Sequence, residues 1–84
     1  DFFAVQVSSF KEKSRAGVVL DELKKKNYAG YIVSKDLPGK GVFYRVWVGR
    51  LKNKEQAQEV LGLLKAYYPG CFIIQADNSI VIGG

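Results

Sequence analysis

The sequence predicts an α+β fold, in which a four-stranded antiparallel sheet carries two helices on one face. Four segments have apolar side chains at every second position, which is typical of strands, and they lie at about residues 2–7, 28–35, 42–51 and 71–76. Two segments have apolar side chains three and four positions apart, which is typical of amphipathic helices, and they lie at about residues 13–26 and after Asn53. An internal repeat relates the two halves.

The repeat has an offset of 41 residues. Identical pairs at this offset include Val5/Val46, Val7/Val48, Lys11/Lys52, Lys13/Lys54, Ala16/Ala57, Val19/Val60, Leu20/Leu61, Leu23/Leu64 and Lys24/Lys65. Each copy, at about residues 2–41 and 42–82, predicts a strand followed by a helix with one apolar stripe. Because each helix has a single stripe to bury, both are expected on the same face of one sheet. The order β, α, β, β, α, β is that of the split βαβ, ferredoxin-like or RNP-like, arrangement.

The third strand, residues 42–51, is the most informative segment for function. One side of it is wholly apolar and consists of Val42, Tyr44, Val46 and Val48. Arginine is seldom buried without a partner, so this apolar side is expected in the core and the side with Arg45 is expected to face outward. That outward side presents Phe43 and Trp47 around the guanidinium, and both rings are expected to be exposed.

The other strands complete this helix-free surface, which we call the open face. Strand 1 is expected to turn Val5 inward, and Gln6 and Ser8 outward. Ile32 and Cys71 are expected to face the helices. The open face is then expected to carry Phe2, Ala4, Gln6, Tyr31, Phe43, Arg45, Trp47, Phe72 and Ile74. It is more apolar than a surface meant only for water, and it suits a ligand, a homodimer interface or another part of a longer protein, unless some strand phases are wrong.

Local signals predict several boundaries. Asn53, three residues before Gln56, is a good N-cap for the second helix. The segment KDLPGKG, residues 35–41, predicts a hairpin loop between the second and third strands. Residues 79–82 are apolar enough for a short fifth strand at the C-terminus, and a frayed end is the alternative.

The composition is that of one small domain, residues 1–84, with 48% apolar residues for its core. Because the chain begins within a strand pattern, we expect a module of a longer protein. The single cysteine, Cys71, excludes an intrachain disulfide, and no apolar run is long enough to cross a bilayer. The formal charge of +5 comes mainly from residues in or beside the helices, and Arg45 is the one charge expected in the middle of a strand.

Catalysis is not expected. Without histidine, the chain lacks the usual base of nucleophile pairs and the common zinc ligand sets. Its acidic residues fall on predicted helices and turns, away from the open face, and Pro38 interrupts the glycines that a phosphate-binding loop needs. No metal or cofactor is therefore expected. Aromatic side chains with one amide and one guanidinium suit the binding of sugar rings or stacked bases.

Two motifs occupy equivalent places in the repeat. VQVSSF at residues 5–10 has Ala16 and Leu20 behind it, and YRVWVG at residues 44–49 has Ala57 behind it. Together they resemble the SPOR domain, the sporulation-related repeat of bacterial envelope proteins. The resemblance covers nearly the whole chain.

The resemblance implies an RNP-like fold and noncatalytic binding of peptidoglycan, with a preference for glycan strands denuded of stem peptides at division septa. It implies a place in the bacterial cell envelope, on the periplasmic or cell-wall side, and we expect a monomer that targets a parent protein there, although a dimer stays open. The family's binding positions fall on Gln6, Ser9, Phe43, Arg45 and Phe72, and the strand phase adds Trp47.

The chain departs from the family pattern at three positions. Ser8 stands where glycine is common, and this difference concerns the loop that presents Ser9. Arg50 and Leu51 stand where a proline and an aromatic residue often follow. These differences bear on the detailed site more than on the fold.

An RNA-recognition domain of the same topology is the main alternative. Lys40, Gly41, Tyr44 and Trp47 partly match its RNP1 motif. Against it, the positions that should present stacking aromatics are Val42 and Tyr44, which are expected in the core. The open face also has one cation instead of a track of positive charge, so nucleic acid is not an expected partner. A protein-interaction module that dimerises through the open face is a third hypothesis.

Overall fold

The computed structural model describes residues 1–79 and 82–83. Its elements are β1 Phe2–Phe10, α1 Lys13–Lys25, β2 Gly30–Leu37, β3 Gly41–Leu51, α2 Lys54–Leu64, β4 Phe72–Ala76 and β5 Ile82–Gly83. The predicted α+β fold class is confirmed, including a short C-terminal strand. Part of the segment predicted for that strand, residues 80–81, lies outside the described residues.

All strand pairs in the five-stranded sheet are antiparallel, and the strand order is β4-β1-β3-β2-β5. β3 is the middle strand, and β1, the first strand of the other repeat copy, pairs with it. β2 and β3 make the predicted hairpin, which closes with Leu37 opposite Gly41. The β2–β3 pairing is therefore local in sequence. β1, in contrast, pairs with β3 and β4, which both lie far from it in the chain.

The main core lies between the sheet and the two helices. Its buried residues are Val5, Ala16, Leu20, Leu23, Ile32, Val46, Val48, Leu64 and Cys71. Repeat-related residues occupy equivalent places in it, because Ala16 and Ala57 are fully buried where each helix approaches the sheet, as are Leu23 and Leu64. The Asn53 side chain caps α2 as predicted, with its Oδ1 accepting a hydrogen bond from the Gln56 backbone N–H at 2.9 Å.

Two irregularities interrupt the β1–β3 ladder. Gln6 lies opposite Trp47 but Ser8 lies opposite Val46, so β1 has one extra residue, Val7, at this point. The extra residue reverses the alternation. Ser8 therefore shares the core side with Val46, and the prediction that it faces outward was wrong.

Val42 departs from expectation in the opposite sense, because it was expected in the core. Val42 is 41% exposed. It lies at the hairpin end of β3, opposite Asp36, where alternation continues but the helices provide no cover.

Gly49 forms the second irregularity, on β3. Its φ of 82° is in the left-handed region, and a Cβ there would approach Leu51 Cγ to 3.1 Å. Between the pairs Val5/Val48 and Phe3/Leu51, β3 has two residues where β1 has one, and Gly49 allows this.

We expect Gly49→Ala to lower the free energy of unfolding by about 1–3 kcal/mol, because the left-handed backbone is strained for alanine. Urea denaturation followed by circular dichroism measures this. Gly17→Ala is the control, since Gly17 lies in α1 and a Cβ added there would meet no atom of the described residues beyond the helix itself within 4 Å. That variant should be stabilised by about 0.5–1 kcal/mol. Equal effects in the two variants would contradict the left-handed conformation of Gly49.

Tyr68 joins the end of the α2 region to α1. Its hydroxyl donates to Glu22 Oε1 at 2.9 Å. Burial, then this hydrogen bond and the charge of Glu22, raise the pKa of Tyr68 to about 12.

We therefore expect a loss of stability that begins above the usual tyrosine pKa of about 10 and continues to about pH 12. In this range the unfolded chain releases the Tyr68 proton while the folded chain retains it, so rising pH favours unfolding. Urea unfolding at several alkaline pH values measures the effect. Tyr68→Phe should have a shallower pH dependence than wild type, and an unchanged dependence would refute this role.

Candidate functional site

The open face carries side chains in rows that cross the strands, because opposite residues in antiparallel pairs have side chains on the same face. One row consists of Phe72, Gln6, Trp47 and Tyr31, in the order β4, β1, β3 and β2. The next row consists of Ser9, Arg45 and Val33. Beyond it, Phe43 lies opposite Lys35. The rows thus contain all six residues predicted for the site.

Trp47 is buried, and the prediction that its ring is exposed was wrong. Only 4% of it is accessible, and edge-to-face contacts join it to Phe2 and Tyr31, with ring centroids 6.4 and 6.2 Å away. A second apolar cluster surrounds it on the side of the sheet away from the helices. This Trp47 cluster comprises Phe2, Ala4, Tyr31, Val33, Trp47, Ile74 and Ala76.

The two rings that contact Trp47 are themselves held in place. The Arg50 guanidinium lies 4.3 Å from the Phe2 ring centroid, and its Nη2 donates to Asn78 Oδ1 at 3.4 Å. Tyr31 is also anchored, since its hydroxyl donates to the Gly49 carbonyl oxygen at 2.8 Å. Period-two alternation identifies the side of a strand but not the residues that cover it, so this second cluster was missed.

The other five predicted residues are exposed or partly exposed on the open face, and we call them the candidate site: Gln6, Ser9, Phe43, Arg45 and Phe72. Phe72 is 49% exposed and lies directly beside Gln6. Ser9 lies opposite Arg45 only because of the extra residue in β1. Phe43 is partly exposed, with Lys11 Nζ 5.6 Å from its ring centroid.

Arg45 lies on a groove with a volume of ≈ 580 Å³. The groove runs between residues of β2 and residues at the end of β4, and its charged lining comprises Lys35, Asp36, Arg45 and Asp77. The Nε atom of Arg45 is buried and has no hydrogen-bond partner among residues 1–79 and 82–83. An N–H group in this state favours a ligand that supplies an acceptor.

Sequence reasoning missed Lys35 and Asp77 as parts of this groove. The hairpin register would have placed Lys35 beside Phe43, but Asp77 depends on how the chain leaves β4. The Ser79 hydroxyl and backbone N–H both donate to Asp77 Oδ1, and these hydrogen bonds lower the pKa of Asp77 below its usual value. The groove thus combines two cations with two acids, and Arg45 is the cation nearest Ser9.

Two residues that are equivalent in the internal repeat are neighbours on the open face. Gln6 and Trp47 are equivalent at the offset of 41 residues, and they also lie opposite each other. The pseudo-twofold axis of the two copies therefore passes between them. Tyr31 and Phe72 are equivalent in the same way, yet Tyr31 packs in the Trp47 cluster and Phe72 is exposed. Equivalent strands of the open face therefore carry side chains that differ in exposure.

The family model of the SPOR domain matches residues 1–75, which run from β1 to the penultimate residue of β4. The chain belongs to the SPOR domain family. No curated protein and no solved structure gives a significant match. SPOR domains are peptidoglycan-binding domains, which supports cell-wall binding in general and a place in the cell wall or periplasm. In the part of this SPOR domain that the structure describes, no helix has the length and apolar character needed to span a membrane.

Burial of Trp47 has a direct optical consequence, because it is the only tryptophan in the chain. We expect blue-shifted fluorescence and weak quenching by acrylamide in the folded SPOR domain. Unfolding in urea should shift the emission to the red and restore quenching to the level of N-acetyltryptophanamide. Strong quenching before unfolding would mean that the ring is accessible.

Proposed function

We propose that this SPOR domain binds peptidoglycan glycan strands denuded of stem peptides, through the candidate site, and thereby targets a parent protein to the division septum. The domain acts as a noncatalytic module, residues 1–84 of a longer envelope protein. The observation that carries the proposal is Arg45, whose partly buried side chain has an Nε without a partner in the described part of the chain, beside accessible aromatic and polar groups. The family supplies the ligand class, and the chemistry of the site suggests how the denuded form is preferred.

The aromatic members of the candidate site provide apolar surfaces for sugar rings. Phe72 at the β4 edge and Phe43 at the hairpin end lie on either side of the polar residues. Each ring lies on a strand of the sheet, so little conformational freedom is lost on binding. Trp47 supports this surface from beneath, because its ring packs within the Trp47 cluster.

Polar contacts come from the rows between the two rings. Gln6 and Ser9 are positioned to hydrogen-bond hydroxyl or acetamido groups of the glycan. The exposed hydroxyl of Ser9 lies on the same side as Arg45, so the two can contact one sugar unit. The extra residue Val7 is essential to this pairing, which links a local irregularity of β1 to binding.

Arg45 provides selectivity for denuded strands. Removal of the stem peptide frees the carboxylate of the lactyl group on muramic acid, whereas an intact stem converts this group into an amide. A guanidinium binds a carboxylate through two parallel N–H donors, and it binds a neutral amide less strongly. Lys35, across the groove, adds positive potential but lacks this planar pair of donors.

The alternative functions receive less support from the same face. Tyr44 packs against the main core and cannot stack on a base, and Val42, although exposed, is not aromatic. A dimer interface would need a large apolar patch, yet most of the apolar side chains on the open face already pack in the Trp47 cluster.

The test is the affinity of Arg45 variants for glycan strands. We expect Arg45→Ala to lose about 1.5–3 kcal/mol of binding to amidase-treated strands, roughly 10- to 150-fold in Kd. Arg45→Lys should recover only part of this loss, because lysine cannot form the bidentate contact. Strands with intact stem peptides should bind wild type weakly and respond little to either variant. Arg15→Ala, which removes the same charge from α1, is the matched control.

The outcomes separate the hypotheses. Equal affinity of wild type and Arg45→Ala for denuded strands would refute the role of Arg45. Equal affinity of wild type for denuded and intact strands would refute the preference. A gel shift with single-stranded RNA, or sedimentation showing concentration-dependent dimers without glycan binding, would favour the respective alternative.

A further inference from the structure

The hydrogen bond between Trp47 and Gln6 determines which way the Gln6 side chain faces. Trp47 Nε1 lies 3.0 Å from Gln6 Oε1. An indole N–H can only donate, so the carboxamide oxygen of Gln6 must face Trp47. The NH₂ group of Gln6 then faces away from the indole, and what it offers to a ligand is two donors.

The Trp47 cluster holds the indole in place. Contacts with Phe2 and Tyr31 restrict the ring from both sides, and 4% exposure leaves its N–H with little access to water. A flipped Gln6 would turn its NH₂ group toward this N–H, and both donors would lose a partner. Because a partly buried donor without a partner is costly, one orientation of Gln6 is strongly favoured.

We propose that Trp47 is a positioning residue that fixes Gln6 as a hydrogen-bond donor, and that Gln6 binds the carbonyl oxygen of a sugar N-acetyl group. This inference rests on the proposed function and specifies one ligand group within it. It also gives Trp47 a role in binding that requires no exposure of its ring.

The neighbours of Gln6 favour an N-acetyl group over a hydroxyl. Phe72 lies directly opposite Gln6 on β4 and is 49% exposed, so it offers an apolar surface beside the NH₂ donors. An N-acetyl group has a carbonyl oxygen for the donors and a methyl group for the ring, whereas a hydroxyl has no apolar part. Removal of the acetyl group leaves an ammonium, which has no acceptor and is repelled by nearby Arg45 and by the net charge of +5.

The experiment compares three samples of denuded glycan strands: native, chemically de-N-acetylated, and de-N-acetylated strands treated again with acetic anhydride. Wild type should bind the de-N-acetylated sample at least roughly tenfold more weakly, as expected for a lost hydrogen bond and added repulsion. Re-acetylation should restore affinity. The ratio of the affinities for native and de-N-acetylated strands measures N-acetyl recognition, and a general loss of folding does not change it in a systematic way.

Three variants test the positioning role. Gln6→Ala should reduce this ratio most and Trp47→Phe should reduce it in part, and the double variant should reduce it no further than Gln6→Ala alone, because Trp47 acts only through Gln6. Gln6→Glu retains an oxygen for Trp47 but presents a second oxygen to the ligand, so it should bind native strands at least as weakly as Gln6→Ala does. Tyr31→Phe, the control, removes a hydrogen bond of the Trp47 cluster without changing the Trp47–Gln6 contact, and its ratio should equal that of wild type.

Contrary results have distinct meanings. Independent, additive effects of Gln6→Ala and Trp47→Phe, or full affinity of Gln6→Glu, would overturn this inference while leaving glycan binding intact. Wild type that does not bind denuded strands at all would overturn the proposed function and, with it, the N-acetyl assignment. The positioning contact has its own readout, since the Trp47 indole proton should exchange slowly with solvent in wild type and faster in Gln6→Ala. Equal exchange rates would refute the contact itself.

Discussion

The pairing of β1 with β3 is the constraint on which the other features of this SPOR domain depend. β3 is the middle strand of the sheet, and its ladder with β1 has two irregularities, at Val7 and at Gly49. The first brings Ser9 opposite Arg45. The second gives β3 one residue more than β1 at Gly49, and the next residue, Arg50, lies over the Phe2 ring. One ladder therefore positions both the candidate site and the cover of the Trp47 cluster.

The two faces of the sheet differ in how they contribute to stability and function. The helices cover one face with a conventional core, while the Trp47 cluster gives the other face a smaller core of its own. Burial of a large apolar side chain contributes about 1.5–3 kcal/mol, which is a substantial share of the stability of a domain of this size. The open face can present polar groups for binding because part of it is already packed.

Sequence periodicity was sufficient for the fold class, the hairpin and the Asn53 cap, because each of these depends on local pattern. It also assigned Ile32, Cys71 and the apolar stripes of the helices to the main core. It could not predict the orientation of Ser8, since one extra residue reverses a strand without changing its composition. Trp47 was misjudged for another reason: its cover comes from residues distant in the chain, and alternation says nothing about them. The two motifs were enough to identify the SPOR family, because recognition of a family does not require that the phase of every strand be correct.

The pseudo-twofold axis between Gln6 and Trp47 bears on how many binding surfaces the domain can offer. A duplicated strand-helix unit would ordinarily suggest two equivalent binding surfaces, one for each copy. Here the axis passes between Gln6 of the first copy and Trp47 of the second, which occupy equivalent positions. Their side chains differ, and the Trp47 indole donates a hydrogen bond to Gln6. The duplication therefore gives one surface with a fixed polarity, and a polymer segment bound as we propose would have two distinguishable directions on it.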